Sequence, residues 1–152
     1  MLDMFQAMKE PPPGPATPLT TYTYVNGVLY LGLGLTFMLY PYVLELGGYP
    51  AITPAAAGPL RGVGVAVIYI ALFYLWTARS RFVPGALGSV FNRVVLGPLL
   101  ILPLVGLGLM EPMLGVPMVL MDVVFGIGMY IAWKRSLAVA GAAAVNPGAA
   151  HV

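Results

Sequence analysis

The side chains in this sequence that could do chemistry are few, and their positions are unusual. Arg93, with Asn92 before it, and Asp122 fall inside long apolar runs. A lone guanidinium or carboxylate in mid-membrane costs about 2.5–3.5 kcal/mol on insertion scales. Pairing is the simplest way to keep both, so Arg93 and Asp122 are expected to face one another. Arg61 opens another apolar run and has three roles open to it. It can snorkel to headgroups, pair with Glu45 or Glu111, or reach toward Asp122. An Arg61–Asp122–Arg93 cluster would hold excess positive charge suited to an anionic or carbonyl-bearing ligand. The plainer reading, an Arg–Asp pair that fixes helix register, is preferred. A proton or ion path ranks last, because one intramembrane carboxylate without histidine makes a poor relay.

Other chemistries lack their parts. Cysteine is absent and the one histidine, His151, is next to the last residue. A zinc, copper or haem site ligated by this chain alone is therefore not expected. Ser80, Ser89 and Ser136 have no His–Asp partner, and no carboxylate dyad is available for acid–base work. The Gly-x-Gly pairs Gly32/Gly34, Gly62/Gly64, Gly106/Gly108 and Gly126/Gly128 lack the strand and third glycine of a dinucleotide fingerprint. They are expected to serve helix packing, where small residues permit close approach in lipid, and Gly58 with Gly62 adds a GxxxG pair. Seven basic and five acidic residues give a net charge of +2, scattered singly. Nothing in that pattern would track a phosphate backbone, so nucleic acid is not an expected partner.

The elements that must position Arg93 and Asp122 follow from hydropathy. The chain is 60% hydrophobic and 8% charged, with a mean hydropathy of +0.91, against about 25% charged in soluble domains. Four runs reach the ~20 residues that a membrane helix needs: about 22–44, 59–77, 86–109 and 113–133. The expected fold is an all-α integral membrane four-helix bundle with antiparallel up-down connectivity. A Pro-rich head (1–21), whose residues 2–9 can form an interfacial turn, precedes the membrane domain (22–135). An Ala-rich tail (136–152) follows and can prolong span four until Asn146–Pro147. No cleavable signal peptide is evident. Lys9, Arg79, Arg81, Lys134 and Arg135 share one side, against Arg61 on the other, which puts both termini in the cytoplasm. Tyr22, Tyr24, Tyr40, Tyr42, Trp76 and Trp133 mark the interfaces. Pro98 and Pro103 should bend span three, and Thr53 should cap a short turn that starts at Pro54.

Taken with LRGVG at Leu60–Gly64, Arg93 early in span three and Asp122 in span four, this pattern resembles the DoxX-like small four-helix membrane proteins over residues 22–135. The resemblance implies partnership with redox proteins or quinone-linked systems and carries over no active site. The expected function is a non-enzymatic helical subunit packing against other membrane proteins or itself, in a bacterial cytoplasmic membrane. The alternative is a carrier for a small hydrophobic ligand (quinone, isoprenoid, pigment or lipid) at Arg61, Asn92, Arg93 and Asp122. A small membrane enzyme or transporter stands third.

Overall fold

The computed structural model describes residues 15–145. Among them all regular structure is helical: α1 (Pro18–Leu39), α2 (Val43–Leu46), α3 (Pro54–Ser80), α4 (Val83–Gly106) and α5 (Pro112–Val145). All but α2 are long and apolar enough to cross a membrane. The shortest of these, α1 at 22 residues, is about 33 Å long at 1.5 Å per residue, against roughly 30 Å of hydrocarbon.

Local cap and proline chemistry moves three boundaries, both ends of α1 and the start of α3, away from where hydropathy puts them. α1 begins at Pro18, ahead of the expected Tyr22, because Thr17 and Pro18 form an N-cap and first helical position: the Thr17 Oγ1 accepts the Thr20 N–H at 3.2 Å. It ends at Leu39, short of the expected Leu44, because Tyr40 precedes Pro41 and that position disfavours helix. The short turn expected at Pro54 is instead the start of α3 itself. Thr53 caps it through the Ala56 N–H at 3.3 Å, and Pro59, the expected start of span two, lies inside the helix. α5 runs past Trp133 as far as Val145, the prolongation into the Ala-rich tail expected before Asn146–Pro147. The interfacial turn expected at residues 2–9 and the terminal His151 lie outside the described residues.

The turns are equally specific. After α2 the Tyr49 N–H reaches back to the Leu44 carbonyl and the Gly48 N–H to that of Glu45. Gly48 at φ 86° makes the reversal. The Glu45 carboxylate then accepts the Ile52 N–H at 2.7 Å. After α4 the same motif recurs, with Leu109 bonded to Leu104, Gly108 to Val105, and Gly108 at φ 70°. Between α3 and α4 the left-handed position is held by Arg81, at φ 52°.

The chain divides into two compact units. In the unit containing Thr23–Ser80, α1 and α3 approach at glycines. An added Cβ on Gly27 would meet Leu75, one on Gly34 would meet Ile68, and one on Gly64 would lie 2.5 Å from the Met38 backbone nitrogen. Tyr30 meets Tyr74 edge-on at 5.8 Å. Residue numbers rise along α1 as they fall along α3.

In the other unit residues 18–22 of α1 join α4 and α5. The Leu19 N–H, one of the four at a helix start without an intrahelical acceptor, donates to the Ser136 Oγ on α5 at 2.9 Å. The Tyr22 phenol lies against Gly128. Further along α5, Gly115 faces Ile101 and Val105 of α4, and Gly126 faces Val90, Arg93 and Val94.

Candidate functional site

Arg93 owes its position to a disturbance in α4. Pro98 has no N–H to give to a carbonyl one turn back, and its ring crowds that carbonyl. The helix responds with a π turn over Asn92–Leu96, in which the Gly97 N–H donates to the Asn92 carbonyl five residues earlier. Ahead of Pro98, where a bend is expected, the structure shows this widened turn. A π turn shifts the helical phase, so the residues on either side of it do not follow one straight α-helical face.

Arg93 sits in that turn and is 3% exposed, while Asp122 on α5 is 25% exposed, with 3.9 Å between Arg93 Nε and Asp122 Oδ1. The Arg93 guanidinium carbon lies 5.7 Å from the centroid of the Phe125 ring, which adds a cation–π contact. One glycine makes room for the pair: an added Cβ on Gly126 would stand 3.3 Å from the Arg93 Cβ, whereas one on Gly97 would stand at an ordinary contact distance, 3.6 Å, from Asp122 Oδ2. The site is thus an ion pair bordered by an aromatic ring and one close backbone approach, open on the Asp122 side. Its chemistry is mutual neutralisation: each charge lowers the cost of the other where water is scarce.

The other expected site residues are placed differently. Asn92 is exposed, and its backbone carbonyl accepts the Gly97 N–H. Arg61 belongs to the other unit and is exposed near the start of α3, where the Glu45 carboxylate is turned to the Ile52 backbone.

The nine glycines assigned to helix packing separate into three kinds. Gly34, Gly64, Gly126 and Gly128 stand where a Cβ would press on a neighbour. Gly108 is a correction: no atom lies within 4 Å of its Cβ position and its φ is 70°, so it makes the turn rather than a packing contact. Gly32, Gly58, Gly62 and Gly106 face open space within the chain.

Sequence reasoning passed over a set of buried uncharged polar residues: Thr23, Asn26 and Thr77 are each at most 2% exposed, with the buried Tyr30 and Tyr74 nearby in sequence. The signal was present, since Thr23, Asn26 and Tyr30 stand at i, i+3 and i+7 on one helical face. Among the described residues no group of three or more His, Cys, Asp or Glu could hold a metal ion. Comparison with protein-family models, characterised proteins and solved structures finds no match.

Proposed function

We propose that this protein is a non-enzymatic helical subunit of the bacterial cytoplasmic membrane, packing against other membrane proteins. Its four long helices cross the bilayer in up-down order with both ends in the cytoplasm. The Arg93–Asp122 pair fixes the register of α4 on α5. A place beside redox or quinone-linked partners, as the DoxX-like resemblance implies, belongs to the same reading.

The observation that supports it is the open glycine pair on α3. Gly58 and Gly62 are one turn apart, both exposed, with no atom near either Cβ position. In lipid, helices associate through such small-residue faces, because backbones can approach there and dispersion contacts multiply. A glycine that packs on nothing in its own chain still carries the low helix propensity of its type, about 1 kcal/mol below alanine, and a neighbouring helix from another chain would offset that.

The test is native electrophoresis in mild detergent, wild type beside Gly58→Leu/Gly62→Leu. The expected result is a defined complex larger than the monomer, dissociated by the double substitution. A wild-type chain that runs as a monomer with nothing co-migrating overturns the proposal.

A second reading has one observation in its favour. Asp122 keeps a quarter of its side chain exposed, so a lipophilic compound with an amine or hydroxyl donor, such as the reduced form of a quinone, can reach it. A carrier would yield a stoichiometric quinone, isoprenoid or pigment on solvent extraction, lost in Arg93→Ala. An extract holding phospholipid alone excludes that reading.

A further inference from the structure

One face of α5 carries a mixed sequence of exposed side chains. Ile127, Tyr130, Ile131 and Lys134 follow at i, i+3, i+4 and i+7 and therefore share a face. All four are exposed, and the three ahead of the lysine are between 44% and 46% so. Exposed apolar side chains are common to all four long helices; what sets this face apart is the lysine that ends it.

The upper end of the track is polar and preorganised. Lys134 Nζ lies 5.3 Å from the Trp133 ring centroid and 5.8 Å from that of Tyr130, and the two rings are themselves 5.6 Å apart. An ammonium held over two ring faces has less freedom to lose on meeting an anion. Arg135, also exposed, adds a second cation. The acids of the same unit are remote from this point. Asp122 is engaged with Arg93, and Glu111 precedes the far end of α5, about 35 Å from Lys134 at 1.5 Å per residue.

We propose that this face binds an anionic phospholipid, with its phosphate at Lys134 and Arg135 and an acyl chain along Ile131, Tyr130 and Ile127. A lipid suits the surface better than an acidic peptide or a free anion. The track ahead of the cations is aliphatic and aromatic, and track and cations both belong to the candidate membrane span Pro112–Gly141. A zwitterionic lipid would bring its own ammonium beside Lys134. The inference rests on the membrane location proposed above.

The full-length protein is reconstituted in bilayers of phosphatidylcholine and phosphatidylglycerol with matched acyl chains, then released for native mass spectrometry. Phosphatidylglycerol is expected to be retained in preference, and excess inorganic phosphate should not displace it. Lys134→Gln/Arg135→Gln should lower the preference by about fivefold per cation removed, with helix content by circular dichroism unchanged. Lys134→Arg should keep it, and so should Arg61→Gln, which removes a cation from the other unit. Equal retention of the two lipids by the wild type overturns the proposal, as does an equal fall in Arg61→Gln or displacement by phosphate. Recovery of the chain from the aqueous phase with neither lipid attached refutes instead the membrane location on which it stands.

Discussion

At the scale of single residues, the Arg93–Asp122 pair and Arg81 carry the sharpest consequences. Removing one member of a buried ion pair leaves the other charge uncompensated, at a cost of about 3–5 kcal/mol in enclosed sites. Asp122→Asn should therefore lower unfolding stability in mixed micelles by about 3 kcal/mol, the low end, because Asp122 is partly exposed. Arg93→Met/Asp122→Leu should cost less than Asp122→Asn alone, and a double-mutant cycle reads the difference as coupling. Additive losses would mean that the two groups do not sense each other. Arg81 occupies the left-handed region at φ 52°, where a side chain branched at Cβ is the worst occupant. Arg81→Val should be less stable than Arg81→Gly by about 1–2 kcal/mol in the same assay. The pair was legible in the sequence, since two opposite charges in apolar runs of adjacent helices have few other ways to be tolerated. The strain at Arg81 was not, because no residue type announces it; a glycine there would have done so.

At the scale of elements, the glycines separate contacts made within the chain from surface left outside it. Gly126→Val would push a branched side chain into Val94 and the Arg93 stem, and overpacking of this kind costs about 1–3 kcal/mol. Gly32→Ala meets nothing within 4 Å and should be neutral or slightly stabilising, as expected for Gly→Ala in a helix. Thermal unfolding of the two variants side by side checks both. Hydropathy located the four long helices but misplaced their ends, for a definite reason. A sliding apolar average does not see that Thr17–Pro18 and Thr53–Pro54 are caps, nor that Tyr40–Pro41 is a stop. The π turn at Asn92–Leu96 escaped for a related reason: Pro98 signals a disturbance, but bend and widened turn are alternative responses that one residue does not separate.

At the scale of the whole molecule, the distribution of charges predicts an orientation, and the absence of cysteine makes that testable without background. Single cysteines at Thr53 and at Ser80, introduced one at a time, should react with a membrane-impermeant maleimide from opposite faces: Thr53→Cys from outside the cell, Ser80→Cys only after permeabilisation. Reaction from the same face would mean that α3 does not cross the bilayer, and Thr53→Cys reacting only after permeabilisation with Ser80→Cys reacting from outside would invert the proposed topology. The division into Thr23–Ser80 and the remainder was not foreseen, because periodicity within a helix does not show that its first turns and its body belong to different packing units. The length of α5 has a further consequence. At 34 residues it is about 51 Å long, whereas a bilayer with its headgroups measures about 40–45 Å. Such a rod cannot stand upright and stay wholly immersed, so it must lean or emerge, each at a modest energetic cost per ångström. The thickness of the surrounding membrane should therefore set how far α5 leans or emerges, and lipids with longer tails should draw its alanine-rich end inward.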